Sequence, residues 1–178
     1  GVNSLMRSAG TTIVVDKQKI FEDIPKGWLF SDAYKSITSP LHKSISIISD
    51  ILKKIELINV DLADLKMIMS NNTFGYIGEG VSSANIGHRS KQALDLALAS
   101  KLQNNHISDA SNIIYNIAGG SDMTLSEIDD IGQRISQLSP GNTYVKFGVL
   151  VDENMENKIK VSLIATSNAS QPSAEYRP

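Results

Sequence analysis

Short runs of β-forming residues alternate with segments whose apolar residues repeat every three or four positions, and this alternation constrains the fold most strongly. A repeat of three or four is the period of one helix face, whereas β-branched and aromatic residues favour strands. Strands are predicted at 11–15, 73–83, 110–120, 143–152 and 158–166, and helices at 32–57, 62–70, 88–103 and 125–138. This order predicts an α/β domain with helices packed over a mixed sheet.

Three local signals refine this prediction. Pro40 lies inside the first predicted helix, where an interior proline costs about 3 kcal/mol, so we expect a kink or a break there. Thr124 and Glu127 form the S/T-x-x-E pattern of a capping box at the start of the last helix. The last two predicted strands are separated by the polar stretch "ENMEN", which predicts that they are neighbours in a hairpin.

Composition excludes several classes of protein. The 178 residues, 41% of them hydrophobic, suffice for one domain with a filled core. The formal charge of −2 gives no broad cationic surface, so binding to nucleic acid is not expected. Disulfides are excluded because there is no cysteine, and a metal site is not predicted because the three histidines are scattered, at His42, His88 and His106.

Nothing in the sequence resembles a signal peptide or a membrane-spanning run, so the cytoplasm is the expected location. The chain opens on "GVNSLMRSAGTTIVV" without an initial methionine, which suggests a fragment of a longer protein. Residues 167–178 form a polar tail without a core pattern.

The stretch "INVDLADLKMIM", residues 58–69, holds the residues most suited to chemistry. Asp61 at a helix N-cap, with Asp64 in the first turn, would accept hydrogen bonds from free backbone N–H groups, an arrangement worth about 1 kcal/mol. Alternatively, two carboxylates at i and i+3 share one helix face, where they can orient and polarise a water molecule. Spacing alone does not decide between these readings.

Three glycines cluster in "GYIGEG", as glycines do in phosphate-binding loops; they are Gly75, Gly78 and Gly80. They lack both the G-x-G-x-x-G order and the G-K-[ST] ending of such loops. We therefore predict that they allow close packing of a strand. Gly119 and Gly120 are interpreted as a turn that ends a strand.

The order of segments resembles the FtsZ family of tubulin-like GTPases, from just before the central helix to the end of the C-terminal domain. "NVDLAD" is similar to the family's synergy loop, and "NIAGGSDMTLSEI" is similar to its N-I-T-G-G-x-D-L-T-L-x-E-V pattern. The resemblance implies an α/β fold, with a mixed, mostly parallel sheet flanked by helices and preceded by a long connecting helix. It also implies the division 1–29 (end of the nucleotide-binding half), 30–58 (central helix), 59–166 (GTPase-activating domain) and 167–178 (tail).

The same resemblance assigns roles to individual residues. Asn59, Asp61 and Asp64 match the loop that enters the nucleotide pocket of the neighbouring subunit and positions the water that attacks GTP. Tyr34 and Thr38, in "AYKSIT", match the aromatic and polar positions of the family motif A-F-x-x-x-[ND], which contacts guanine. Tyr34 is equally consistent with an ordinary core position at helical spacing.

The implied partners are copies of the same protein in a filament, with membrane anchors and regulators of cell division, and the implied location is the division site in the cytoplasm. The implied cofactors are GTP and its accompanying Mg²⁺. The family's G-G-G-T-G-T-G phosphate loop does not occur in this sequence, so this chain alone is predicted neither to bind GTP tightly nor to hydrolyse it.

The sequence departs from the family pattern at two positions. Glu56 stands where the family usually has glycine, and Thr38 stands where it has asparagine or aspartate. Two alternative functions therefore stay open: a non-catalytic α/β interaction module, and a diverged tubulin-like protein for DNA segregation or cell shape.

Overall fold

A computed structural model describes residues 4–5, 8–15, 27–53, 57–70, 73–83, 85, 87–99 and 107–168 of the chain. Within them the strands are β1 (Thr11–Ile13), β2 (Thr73–Ser82), β3 (Asn112–Gly119), β4 (Tyr144–Val151) and β5 (Ile159–Asn168). The helices are α1 (Phe30–Lys53), α2 (Leu62–Ile68), α3 (Arg89–Leu98) and α4 (Leu125–Leu138). Strands and helices alternate as predicted.

The five strands form one sheet in the order β1-β2-β5-β3-β4. β1 is parallel to β2 and β3 is parallel to β4, whereas β5 is antiparallel to both of its neighbours. Four strands therefore point one way and β5 points the other. The predicted α/β fold with a mixed, mostly parallel sheet is confirmed.

The predicted hairpin between the last two strands is wrong, because β5 lies between β2 and β3 while β4 pairs with β3. Burial gives the physical reason. Val161 and Ile164 of β5 are both fully buried although they point to opposite faces, so β5 needs neighbours and helices on all sides. Tyr144 and Val151 of β4 are about 42% exposed, which suits an edge strand.

Helices cover both faces of the sheet. One hydrophobic cluster joins α3 and α4 to the sheet through residues such as Leu94, Ile131 and Val161. The second cluster lies on the other face, beneath α1 and α2, and its buried members are Ile47, Ile51, Val60, Leu65, Ile68, Ile77, Ile114 and Ile164. The second cluster fixes the end of α1 and the start of α2 against the sheet.

Helix boundaries follow local signals closely. α1 continues without interruption through Pro40, so the expected break is absent, and residues 54–56 at its predicted end lie outside the described residues. α4 occupies the predicted range, and its capping box is present, with Thr124 N–H donating to Glu127 Oε2 at 3.0 Å. No helix among the described residues is both long and apolar enough to cross a membrane.

The glycines of β2 allow α3 to lie directly on the strand. A Cβ atom at Gly78 would lie 1.9 Å from the backbone oxygen of Ala97, and one at Gly80 would lie 2.0 Å from that of Ala93. Any side chain at either position would displace the helix backbone. The prediction that these glycines serve close packing is confirmed.

Candidate functional site

The segment from Leu57 to Asp64, here called the acidic turn, leads from α1 into α2. Asp61 caps α2 with extended backbone angles, and its Oδ1 accepts a hydrogen bond from the N–H of Asp64 at 2.9 Å. Asp64 returns the contact, because its Oδ2 accepts from the N–H of Asp61 at 3.0 Å. The predicted cap is therefore a complete capping box, and it fixes the two carboxylates relative to each other.

The first half of the acidic turn is attached to β4 by backbone hydrogen bonds. Leu57 N–H donates to the carbonyl oxygen of Val149 at 2.8 Å, and Val149 N–H donates to that of Ile58 at 2.9 Å. Val60 is 2% exposed and packs in the cluster beneath α1 and α2. The turn is thus held by a short antiparallel bridge and by a buried apolar anchor.

The second half is attached to β4 by an ion pair. The Lys146 ammonium donates to Oδ2 of Asp64, and the two side chains are 34% and 13% exposed. This hydrogen bond is the largest cause that lowers the pKa of Asp64, and it also raises the pKa of Lys146. Asp64 therefore remains ionised, and its carboxylate faces its own chain more than the solvent.

Asn59 and Asp61 are the polar groups that the acidic turn presents to solvent, and both are exposed. Large apolar side chains surround them, since Leu57 is 75% exposed and Leu62 is 49% exposed. Exposed apolar residues around polar groups are typical of a protein contact surface. The structure therefore brings Asn59, Asp61 and Asp64 together in one turn, with Asp64 the most enclosed of the three.

Tyr34 and Thr38 lie near the start of α1. The Tyr34 ring is 59% exposed and stacks on Phe30 with centroids 6.2 Å apart, so the alternative interpretation of Tyr34 as a core residue is wrong. The Thr38 hydroxyl donates within its own helix, to the carbonyl oxygen of Tyr34 at 3.1 Å or of Lys35 at 3.2 Å. An exposed aromatic surface is available at this end of α1, whereas the hydroxyl is already engaged.

Tyr34 and Thr38 lie near the start of α1, whereas the acidic turn lies beyond its end. Ile51, near the C-terminal end of α1, shares a cluster with Val60 of the acidic turn. At 1.5 Å of rise per residue, Tyr34 lies about 26 Å from Ile51 along the helix axis. The aromatic end of α1 and the acidic turn therefore do not meet at one small ligand within this chain.

The described residues contain no group of three or more His, Cys, Asp or Glu side chains that would hold a metal ion. His42 and His88 are exposed and separate, and His106 lies outside the described residues. The Asp61 and Asp64 carboxylates each accept a hydrogen bond from a backbone N–H of the turn.

A sequence model of the C-terminal domain of the FtsZ family matches residues 75–168, which is more than half of the chain. The chain belongs to the FtsZ family. The match spans β2 through β5, and the acidic turn lies just before it.

Curated FtsZ relatives match most of this chain. The cell division protein FtsZ of a Wolbachia species is 33% identical over 167 residues, covering 93% of this chain and 42% of the relative. The FtsZ of Buchnera aphidicola is 30% identical over the same length, covering 93% of this chain and 43% of the relative. The chain therefore spans less than half of the length of these two relatives.

Solved FtsZ structures share the fold. The W319Y mutant of FtsZ from M. jannaschii is similar with a TM-score of 0.79 and 30% identity, covering 94% of this chain and 50% of the solved one. An empty FtsZ dimer from the same organism has a TM-score of 0.76 and 26% identity, covering 99% and 54%. A CetZ from Methanosaeta thermophila, at 19% identity and a TM-score of 0.67, shares the fold alone.

Lys146 is the member of this site that sequence reasoning missed. It lies 82 positions after Asp64, within a strand pattern where one polar residue among apolar ones is ordinary. A search for a cation able to reach the acidic turn would have found many lysines of equal merit, since the chain has 17 basic residues. Only the pairing of β4 with the loop before α2 identifies it.

Proposed function

We propose that this chain is the C-terminal part of an FtsZ-like GTPase that polymerises into cytoskeletal filaments for cell division. The acidic turn triggers hydrolysis of GTP bound to the adjacent subunit. Residues 1–29 end the nucleotide-binding half, 30–58 contain the central helix, which the structure shows over Phe30–Lys53, and 59–166 form the activating domain, followed by the tail 167–178. Filaments assemble in the cytoplasm at the division site, where membrane anchors and regulators can contact them.

The placement of the two residue groups on α1 supports this proposal most directly. Tyr34, whose exposed ring can stack on guanine, lies about 26 Å along the helix from the level of the acidic turn. One nucleotide cannot touch both ends within one subunit. In a head-to-tail filament, however, the turn of one subunit meets the nucleotide held at the aromatic end of the next.

The chemistry suits such a shared site. Phosphoryl transfer needs little covalent help from the protein and much positioning of the attacking water. The exposed Asp61 carboxylate and the Asn59 amide can accept hydrogen bonds from this water, while Asp64 keeps the turn in shape. GTP and Mg²⁺ would be held mainly by the nucleotide-binding half, with Tyr34 and Thr38 contributing from this chain, and the ion would supply charge neutralisation of the phosphates.

The test is the charge of Asp61 in the full-length protein. Asp61→Asn keeps an N-cap residue of equal quality and removes only the carboxylate. Polymerisation with GTP should persist, while GTP turnover per polymerised subunit should fall at least ~10²-fold, a typical loss for a group that activates the nucleophile. Asp130→Asn, at an exposed acid of α4, is the matched control. Normal turnover in Asp61→Asn would refute the proposed role.

The second candidate, a non-catalytic interaction module, is favoured by one specific observation. The Asp64 carboxylate already contacts its own chain, through the capping box and the ion pair with Lys146. The Thr38 hydroxyl already donates a hydrogen bond within its own helix. Under this candidate, the exposed Leu57 and Leu62 bind a partner, and Asp61→Asn leaves every measured assembly and turnover unchanged.

A further inference from the structure

Lys146 occupies a position that joins the sheet to the acidic turn. It lies opposite Ile114 in the parallel register of β3 and β4, and Ile114 belongs to the cluster beneath α1 and α2. Residues opposite each other on neighbouring strands share a face of the sheet, so Lys146 emerges on the face that α2 covers. From there its ammonium reaches Oδ2 of Asp64.

We propose that Lys146 is a positioning residue for GTP hydrolysis: it holds Asp64 in the capping box and so leaves Asp61 as the carboxylate presented to the adjacent subunit's nucleotide. This inference rests on the proposed function. It also gives the two aspartates different roles, although the sequence pattern does not distinguish them.

The hydrogen bonds support this division. Oδ2 of Asp64 accepts from both the Lys146 ammonium and the Asp61 N–H, so it is occupied from two sides. Within the described residues, the hydrogen bond of the Asp61 carboxylate engages Oδ1 alone. Asp61 is exposed, whereas Asp64 has a side chain that is 13% exposed. Asp61 therefore presents the more exposed of the two carboxylates at the surface of the turn, with its Oδ2 outside the hydrogen bond of the capping box.

The charges of the acidic turn also support the proposed role of Lys146. Two carboxylates in one turn repel each other, and both repel the phosphates of an approaching nucleotide. Lys146 neutralises one of them, and its pKa is raised chiefly by the Asp64 hydrogen bond and further by the charges of Asp64 and Asp61. The turn therefore meets a nucleotide with a net charge near −1 instead of −2.

The anchors of the turn give Lys146 a mechanical role. The bridge to Val149 and the buried Val60 hold the residues before Asp61. The Lys146 ion pair holds the residues after it. Without this pair, the residues after Asp61 are held only by the buried Leu65 and Ile68 of α2 and by the capping box, so Asp61 is positioned less firmly.

A first experiment measures amide hydrogen exchange in the 178-residue chain. The Asp61 N–H donates to Asp64, so its exchange reports whether Asp64 stays in place. Lys146→Met should accelerate exchange at Asp61 ~10-fold, and Lys146→Arg should restore protection because one charged donor suffices for this contact. Lys91→Met, at an exposed lysine of α3, is the control. Unchanged exchange in Lys146→Met would overturn the inference, and Lys146→Gln replaces the methionine variant if that variant does not fold.

A second experiment measures GTP turnover in the full-length protein. Lys146→Met should lower turnover per polymerised subunit ~10-fold, as expected for a misplaced catalytic group, while the critical concentration for assembly stays within about twofold. In an Asp64→Asn background, Lys146→Met should have no further effect, because both changes break the same contact. Additive losses would show that Lys146 does not act through Asp64.

The outcomes separate the two proposals. If Asp61→Asn abolishes turnover and Lys146→Met does not reduce it, the role of Lys146 is refuted and the proposed function stands. If Asp61→Asn leaves turnover normal, the proposed function fails, and with it the catalytic meaning of Lys146, whatever the exchange experiment shows.

Discussion

Arg89 and Glu127 stand 38 positions apart and form an ion pair in which Arg89 Nε donates to Oε1 at 2.7 Å and Nη2 donates to Oε2 at 3.0 Å. Their side chains are 1% and 2% exposed. The same guanidinium contacts the carboxylate and the carbonyl oxygen of Asp122 at 2.5 and 3.1 Å. One buried cation therefore joins the start of α3 to the cap of α4 and to the turn after β3.

Removing the Arg89 guanidinium should lower the stability of the folded chain. Arg89→Met leaves Glu127 buried without a counter-charge, which should lower the free energy of unfolding by about 3–5 kcal/mol, measured by urea denaturation. Arg134→Met is the control, because Arg134 contacts Asp95 in a pair whose side chains are 35% and 45% exposed. That change should cost less than about 1 kcal/mol. Equal costs for the two variants would contradict the structural role of Arg89.

The same pairs predict how stability depends on pH. Hydrogen bonds from Arg89 lower the pKa of Glu127 and of Asp122, and the hydrogen bond from Lys146 lowers the pKa of Asp64. A lowered folded-state pKa contributes stability above the unfolded-state value, and this contribution is lost as pH falls through the folded-state value. The urea midpoint should therefore drop steadily below about pH 5. The drop should be smaller in Arg89→Met, and a midpoint independent of pH down to pH 3 would contradict the prediction.

The close contact between β2 and α3 predicts the effect of a single methyl group. Gly78→Ala places a Cβ atom 1.9 Å from a helix carbonyl oxygen, so α3 must shift, at a cost of about 1–3 kcal/mol or more. Gly141→Ala meets no atom within 4 Å and should be neutral or stabilising by up to about 1 kcal/mol. Thermal unfolding of both variants tests the contact, and a Gly78→Ala protein as stable as the parent would disprove it.

The capping box of α2 predicts different results for two substitutions of Asp61. Asp61→Ala removes the cap and should cost about 1 kcal/mol, whereas Asp61→Asn should stay within about 0.5 kcal/mol of the parent. Urea denaturation of the 178-residue chain distinguishes them. If both variants lose equal stability, Asp61 acts through its charge rather than as a cap, and Asp61→Asn no longer isolates the catalytic question.

Local features were predictable from sequence to within a few residues. α4 begins and ends where its period and its Thr124–Glu127 box predict, and the acidic turn has the predicted cap at Asp61. These features depend on residues three or four positions apart. The positions of β4 and β5 in the sheet were not predictable in the same way. A strand in a hairpin and a strand at the centre of a sheet can show the same alternation of residues along the sequence.

The same distinction between neighbouring and distant residues applies to the candidate site. Asn59, Asp61 and Asp64 were identifiable because they lie within six consecutive positions. Lys146 was not identified, because its contact with Asp64 spans 82 positions. The burial of Arg89, which is 1% exposed, was not predicted either, because its partner Glu127 lies 38 positions away.

The sequence by itself determined the α/β class, the helix caps and the three polar residues of the acidic turn, since periodicity and capping act over one or two helical turns. Only the tertiary structure decided that β5 lies between β2 and β3, that Lys146 holds Asp64, and that Tyr34 and the acidic turn occupy opposite ends of α1. Those relationships depend on which surfaces are buried together, and burial is a property of the whole packed chain.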